Sequence, residues 1–361
     1  MFSDTYRGKK ILITGNTGFK GSWLALWLLE LGADVYGYAL PPEREEDNFV
    51  VCELEQKMHH SEGDVRELDS LLGCFRKIQP EIIFHLAAQS LVLESYKKPH
   101  DTLSTNVLGT VNIFEAIRHT PSIKVAINVT SDKCYQNNEW IWGYREHDPM
   151  GGKDPYSASK GASEIITSSY IQSFFSNDNT SNVASVRAGN VIGAGDWAEN
   201  RIIPDYFRAK KSNTQLVIRN PNATRPWQHV LEPLSGYMHL ASTLYNEGKT
   251  FQGGWNFGPL DGINRTVTEL IEEIVKHDSN NDVVYDNSNN NLEANLLKLD
   301  ITKAVSQLRW IPVLDFEETI QYTVEGYLSD LAKKSAENNR LKTIQLYTEA
   351  AKNLKIAWTL D

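Results

Sequence analysis

The chain is poor in cysteine. Cys52, Cys74 and Cys134 are the only three in 361 residues, and they are scattered, odd in number and without metal-ligand spacing. That excludes a disulfide framework and predicts a reducing compartment and no metal site. The chain also lacks any apolar run approaching membrane-spanning length. Its start, Met1-Phe2-Ser3-Asp4, is not a basic region followed by an apolar one, so no membrane partner is expected and the expected location is cytoplasmic. Positive charge is in deficit, with 36 Lys plus Arg against 46 Asp plus Glu and a formal net charge of −10. A nucleic-acid surface is therefore not expected, although a small anionic ligand needs only a local group of arginines. No internal repeat is visible.

What is present is the composition of a globular protein, 41% hydrophobic and 23% charged. The length exceeds one ordinary domain and predicts one large α/β unit with a smaller one packed on it. Lys10-Ile11-Leu12-Ile13-Thr14 reads as a buried strand. Gly15-Asn16-Thr17-Gly18-Phe19-Lys20-Gly21 turns it into a helix over Ser22–Leu31, and a second strand follows at Asp34–Tyr38. Glycines in that position let the backbone approach a pyrophosphate seated on the helix's unpaired amides. The second strand runs into Ala39-Leu40-Pro41-Pro42, so the carboxylate that would hold an adenosine ribose is missing. Arg44 lies a few residues beyond, and the choice between NAD and NADP stays open at this point.

Asp64, in Gly63-Asp64-Val65, is placed to lie near an adenine. A strand over Ile82–Gln89 ends in residues small enough for a cofactor to approach, and His85 within it reads as a core histidine. A helix begins near Asn106, and Val125–Val129 is another buried strand. Alternating strands and helices predict a parallel, doubly wound sheet with ligands at the carboxyl ends of the strands. That edge receives Thr130-Ser131-Asp132-Lys133. In Asp154-Pro155-Tyr156-Ser157-Ala158-Ser159-Lys160, tyrosine and lysine four residues apart on a helix share one face. A lysine beside a phenol favours the phenolate, which would make Tyr156 a base near neutral pH. The same helix, to Phe175, is rich in small residues that permit close helix packing, and a homodimer or higher homo-oligomer is expected through it.

After Arg187 the sheet pattern weakens. Asn190, Asp196 and Trp197 lie in a glycine-rich loop suited to a sugar nucleotide, and Arg201, Arg219 and Arg225 offer planar forks for phosphate oxygens. Helices are expected over Thr266–Lys276, Thr302–Leu308, Asp315–Leu331 and Asn338–Leu354, with a loop around Val283-Val284-Tyr285.

Together, Gly15-x-x-Gly18-x-x-Gly21, Tyr156-x-x-x-Lys160 and Thr130-Ser131-Asp132-Lys133-Cys134-Tyr135 resemble the extended short-chain dehydrogenase/reductase family, and within it the sugar-nucleotide 4,6-dehydratases. The resemblance runs to roughly residue 330. Asp132-Lys133, where most of these proteins carry Asp-Glu, is similar to those acting on CDP-glucose, as are the runs Arg187–Gly193 and Arg225–His229. The resemblance implies a Rossmann-like NAD-binding domain over 1–186 plus about 230–258, and a mixed α/β nucleotide-sugar domain over 187–229 and 259–361. The residue reading and the resemblance together place Gly15, Asn16, Thr17, Gly18, Phe19, Lys20, Asp64, Val65, Leu86, Ala87, Ala88, Asn106, Tyr156 and Lys160 at the cofactor NAD. They place Gln89, Ser131, Asn190, Asp196, Trp197, Arg201, Arg219, Arg225 and His229 at the substrate, CDP-glucose. The implied catalytic set is Ser131, Asp132, Lys133, Tyr156 and Lys160, with Lys133 standing where relatives carry the C5 base. Two alternatives stay open: a UDP- or dTDP-hexose 4-epimerase, which needs no acid at C6, and a non-catalytic NAD-binding regulator.

Overall fold

Lys10–Thr14 (β1) is buried along four of its five residues, a continuous apolar pattern that demands cover on both faces. A computed structural model, which describes residues 1–218, 220–260, 265–278, 283–285 and 296–360, supplies that cover. β1 is followed by Asp34–Ala39 (β2), His59–Glu62 (β3), Ile82–His85 (β4), Val125–Val129 (β5), Asn182–Arg187 (β6) and Gly253–Asn256 (β7). All pair in parallel in the order β7-β6-β5-β4-β1-β2-β3. The order reverses between β1 and β4, where Thr14 stands opposite His85, so a crevice opens at the carboxyl end of those two strands. This is the doubly wound α/β sheet that the sequence predicts.

Side chains of alternate residues serve the two faces. Ile11, Ile13, Ile82, Phe84, Val125 and Ile127 pack with helices Phe19–Glu30 (α1) and Leu231–Glu247, while Leu12, Ile83, Ala126 and Val183 pack under Leu68–Ile78 (α2), Gly109–Arg118 (α3) and Pro155–Phe174 (α4). A separate cluster holds Trp197, Trp227 and the apolar faces of Ile202–Ser212 (α5), Val267–His277 and Phe316–Leu331. With Leu231–Glu247 as α6, those last two are α7 and α8, and Ala336–Asn353 is α9. Apolar residues of 301–314 and of 336–358 join the first core. Trp358 stacks on Phe2 at 4.9 Å and 8°, so the end of the described chain closes over its beginning.

Local chemistry sets several helix starts. Asp154 caps α4, accepting from Ser157 N at 2.9 Å, with Pro155 as the first helical residue. Thr266 with Glu269 and Asp315 with Glu318 form reciprocal capping boxes at α7 and α8.

Four sequence expectations shift. Helix α1 begins at Phe19 rather than Ser22, because the glycine turn itself supplies the N-cap at Gly18. The strand expected to reach Gln89 stops at His85. Ala304–Leu308 is a single π-helical turn closed by Arg309 at φ +53. Val283–Tyr285, expected in a loop, is a strand pairing in parallel with Leu216–Ile218, an outcome its β-branched and aromatic residues favour. Residues 279–282 and 286–291, on either side of Val283–Tyr285, lie outside the described residues. Helix α6 escapes sequence reading because it is buried nearly all round and carries no amphipathic stripe.

The carboxyl of Glu232 joins α6 to the rest of the first core. It accepts from Leu314 N at 2.7 Å, Val313 N at 2.9 Å and Tyr347 Oη at 2.8 Å. Burial pushes it from an ordinary 4.5 up to about 7, against the pull of those donors. Because the folded state holds this proton more tightly than the unfolded chain, stability falls as pH rises through that window, by roughly 3 kcal/mol. Replacing Glu232 with Gln is expected to flatten the melting temperature between pH 4.5 and 7 relative to the parent. Calorimetry across that range checks this, and parallel pH slopes for the two proteins would disprove it.

Candidate active site

Gly15 follows β1 with φ +75, a left-handed conformation that disfavours a side chain. A Cβ there would stand 2.7 Å from Ala87 N, and one at Gly21 would stand 2.2 Å from Gly15 O. The first and third glycines are therefore required by the close approach of β1, β4 and α1. Gly18 is exposed, and a Cβ there would meet only Gly15 O, at 3.4 Å, so the space over the helix N-terminus stays open on the crevice side. Gly18 offers no side-chain cap, leaving the first-turn amides for an anion. This cradle fits a dinucleotide pyrophosphate.

The other turn residues divide. Asn16 points down: its Nδ2 lies 3.1 Å from His60 Nδ1, and its amide fills the space over Gly37, where a Cβ would fall 2.4 Å from Asn16 Cγ. Thr17 Oγ1 donates to Leu40 O at 2.9 Å. Both tie the turn to β2 and β3. Phe19 packs beside Gly193. Lys20 is half-buried, within the fields of Arg201, Asp132, Lys160 and Asp196. Burial, helped by Arg201 and Lys160, brings its ammonium down to about 8. The structure thus groups Lys20 with the catalytic turn.

Along the crevice, Asp64 pairs with Arg66 at 2.6 Å, and Asn112 Nδ2 donates to Val65 O at 2.9 Å. Leu86 N and Ala87 N donate to Thr14 O and Thr14 Oγ1, the chain then running on through Ala88. His85 Nδ1 lies 2.6 Å from Thr14 Oγ1, and burial lowers its pKa to about 3, which makes it a neutral core residue as the sequence predicts. A π-helical turn at Ser104–Leu108 aims Asn106 at the backbone of Gln89: its Oδ1 accepts from Gln89 N and its Nδ2 donates to Gln89 O, each at 2.9 Å. The Gln89 side chain folds back, donating to Leu91 O in its own loop at 3.1 Å and to Thr102 Oγ1 on the helix Pro99–Leu103 at 2.8 Å. Asn106 and Gln89 therefore brace the loop.

The catalytic turn is anchored at both ends. Thr130 N donates to Val186 O at 2.9 Å, and Thr130 Oγ1 to Glu164 Oε1. Ser131 Oγ accepts from Lys133 N at 3.2 Å and donates to Asp132 Oδ1 at 2.9 Å. Asp132 is buried against Gly189, where a Cβ would fall 2.0 Å from its Oδ2. Lys133 is half-buried at the next position. Tyr156 lies within reach of the Ser131 hydroxyl and of the Asp132 and Arg201 charges. Lys160 Nζ donates to Val129 O at 3.4 Å.

One expectation is corrected. Burial drives the Tyr156 phenol up to about 12, with Asp132 adding to the rise and Ser131 opposing it. Burial also brings the Lys160 ammonium down to about 8, against the pull of Glu164. The sequence argument counted the attraction between ammonium and phenolate but not the cost of removing both ions from water.

Two residues given no role in the sequence analysis, Glu164 and Arg187, hold this arrangement. Glu164, one turn beyond Lys160, accepts from Arg187 Nε at 2.9 Å and Arg187 Nη2 at 2.8 Å, with both side chains 4% exposed. Arg187 Nη1 also donates to Tyr135 Oη, at the far end of the turn. The Tyr156, Lys160, Glu164 spacing on one helix face was the available signal.

The expected substrate residues scatter. Arg201 pairs with Asp196 at 2.7 Å, and its Nη2 reaches Ser90 Oγ at 3.5 Å, so these two stand at the crevice mouth. Asn190 adopts φ +51 beside Gly189. Trp197 is buried edge-on to Tyr327 at 5.1 Å, in the second core cluster. Arg225 lies in a short strand paired with Arg265–Thr266 and donates to Thr224 O. His229 is fully buried between Trp23 and Tyr322, its pKa lowered to about 3 by burial, so it belongs to the core. Arg219 lies outside the described residues. Among the described residues, no group of three or more His, Cys, Asp or Glu is placed to hold a metal, and no helix is long and apolar enough to cross a membrane.

The sequence profile of the family described as GDP-mannose 4,6 dehydratase matches residues 12–323. The chain is 49% identical over 327 residues, covering 89% of it and 91% of the relative, to a CDP-glucose 4,6-dehydratase of Salmonella typhimurium. Its fold superposes on an epimerase from Methanothermobacter thermautotrophicus with a TM-score of 0.78 at 23% identity, covering 92% of this chain and 95% of that one. It also superposes on dTDP-glucose 4,6-dehydratase from Bacillus anthracis, solved in complex with NAD, with a TM-score of 0.75 at 20% identity, covering 91% and 100%. A profile match over most of the chain and near-half identity to one dehydratase agree with the strand order and the residues gathered at its crevice: the chain belongs to the GDP-mannose 4,6 dehydratase family, among the epimerases and dehydratases of the extended short-chain dehydrogenase/reductases.

Proposed function

We propose that this protein converts CDP-D-glucose to CDP-4-dehydro-6-deoxy-D-glucose and water. The observation that carries the reading is the buried carboxyl of Asp132, held by Ser131 and seated against Gly189 beside Tyr156. A 4-epimerase has no use for an acid there, and a binding module has no use for the chemistry of the pair Tyr156 and Lys160. The 49% identity to a CDP-glucose 4,6-dehydratase supports the choice of base and sugar.

The glycine turn from Gly15 to Gly21 and the start of α1 would hold NAD, with Asp64, Val65 and Leu86 to Ala88 lining the crevice. When bound, this cofactor accepts hydride from C4 of the sugar and returns it to C6. The cycle closes on itself and needs no NADPH pool, which favours NAD despite the apolar end of β2. Tyr156 takes the proton of the sugar 4-hydroxyl while Ser131 hydrogen-bonds that oxygen. Since burial holds Tyr156 protonated, deprotonation is tied to substrate binding and to the charge of Lys160. The 4-ketone makes the C5 proton acidic; Lys133 removes it, and Asp132 gives its proton to the departing 6-hydroxyl. The pair Arg201 and Asp196 faces the sugar nucleotide at the crevice mouth.

Residues 1–186 with about 230–258 form the dinucleotide unit in this reading, and the second core cluster belongs to the sugar-nucleotide unit. The reading also holds a homodimer through α4 and the segment before α3, where Ile165, Leu103 and Leu108 are 61%, 43% and 48% exposed. It holds a cytoplasmic location and a step towards deoxysugars of surface polysaccharide such as O-antigen.

Three measurements test the roles. Tyr156→Phe is expected to lower the yield of 4-keto sugar from CDP-glucose, scored by its absorbance in alkali, by about 10²–10⁴-fold; an undiminished yield refutes the base assignment. Lys133→Met is expected to abolish deuterium exchange at C5, and unchanged washout removes Lys133 from the mechanism. Protein stripped of nucleotide should regain activity with NAD and not with NADP; recovery with NADP alone reverses the cofactor assignment.

A further inference from the structure

The runs Arg187–Gly193 and Arg225–His229 carry part of the family resemblance, yet His229, expected at the substrate, lies in the core. In the structure the two runs meet each other. Val191-Ile192 pairs in parallel with Gln228-His229, and Gln228 N donates to Asn190 O at 3.2 Å. The Gln228 side chain, 2% exposed, turns back on the same segment: its Nε2 donates to Gly189 O at 2.9 Å and to Phe257 O, just past the end of β7, at 3.4 Å. The backbone of 189–190 is therefore held at two successive carbonyls. Gly189 is also the residue on which the Asp132 carboxyl lies.

Space, not backbone conformation, requires a glycine at 189. Its φ is not positive, so the conformation itself does not demand one. A Cβ, however, would fall 2.0 Å from Asp132 Oδ2 and 2.4 Å from Asp132 Cγ, inside the carboxyl group. The other carboxyl oxygen, Oδ1, accepts from Ser131 Oγ at 2.9 Å. One oxygen of Asp132 is thus fixed by a hydroxyl, and the other occupies the volume that a side chain at 189 would take. A reacting group held in this way owes its aim to neighbours that take no part in the chemistry.

We propose that Gly189 and Gln228 are positioning residues for the acid of the elimination: the missing side chain at 189 leaves the volume in which the Asp132 carboxyl sits, and Gln228 fixes where that volume lies. The inference rests on the proposed dehydration. In that step the C5–H bond gives its proton to the base, its electrons form the C5=C6 double bond, the C6–O bond breaks, and the Asp132 proton joins the departing oxygen to make water. Neither Gly189 nor Gln228 touches the sugar or moves a proton. They act through the aim of the carboxyl, where a displacement of about 1 Å costs about 10²-fold in rate. The oxidation at C4 draws on Tyr156 instead.

The substitution Gly189→Ala tests this in the NAD-loaded enzyme. The added methyl meets the end of a rotatable side chain, so the carboxyl should swing aside and the fold should survive. With CDP-glucose, the near-ultraviolet absorbance of reduced nicotinamide should rise in a single turnover at the parent rate and then decay about 10²-fold more slowly. With the 6-deoxy-6-fluoro analogue, whose leaving group departs as fluoride and needs no proton, the variant should decay as fast as the parent. Undiminished decay with CDP-glucose overturns the inference, as does equal slowing of the first oxidation, or slowing of the same size with the fluoro analogue. Gln228→Met is close in volume but has no donor for Gly189 O, and it should slow the same decay for the hydroxyl substrate alone. A parent-like decay in that protein overturns the inference even if the alanine variant fails to fold. Absence of 4-keto product from the parent enzyme would instead sink the proposed dehydration, so the two failures are distinguishable.

Discussion

The buried pair of Glu164 and Arg187 is the interaction on which the rest of the site depends. Glu164 comes from α4 and Arg187 from the end of β6, and the turn that follows β5 is hung from them through Thr130 at one end and Tyr135 at the other. Ser185 also donates to Glu164, so both carboxylate oxygens are used. Burial alone would raise the Glu164 carboxyl, yet Arg187, Ser185 and Thr130 hold it below its usual range. A pair this deep gains little net stability over an apolar substitute, whereas loss of one partner strands the other charge. Its value is positional: three elements distant in sequence are locked in one geometry, and Ser131 and Asp132 inherit it.

The same burial governs the reactive groups. Tyr156, Lys160 and Lys20 all shift towards their neutral forms, because the crevice removes water before it supplies opposite charge. A site of this kind is electrostatically unsatisfied, and the proton transfers assigned to it become favourable only when substrate brings its own dipoles into the low-dielectric space. Asp132, a buried carboxyl wedged against Gly189, shares that logic.

The glycine turn illustrates how one motif serves separate ends. Gly15 and Gly21 are required by protein packing, Gly18 keeps the approach to the helix N-terminus open, Asn16 and Thr17 bind the turn to β2 and β3, and Lys20 lies with the catalytic residues. Seven consecutive residues thus connect the sheet, the nucleotide cradle and the acid-base cluster.

Sequence alone determined the local terms: continuous apolar strands that require a two-faced sheet, glycines where a helix must start against a strand, and a tyrosine and lysine on one helical face. These were legible because their signals lie within a few residues of each other. Tertiary structure decided what depends on distant partners. It buried His229 and Trp197 in cores, turned Gln89 and Asn106 into loop braces, made a strand of Val283–Tyr285, tied Thr130 to Glu164 and Tyr135 to Arg187, and set Gly189 against Asp132. It also set the sign of the shift at Tyr156, since the cost of desolvation depends on everything packed around a group, and no spacing along the chain records that.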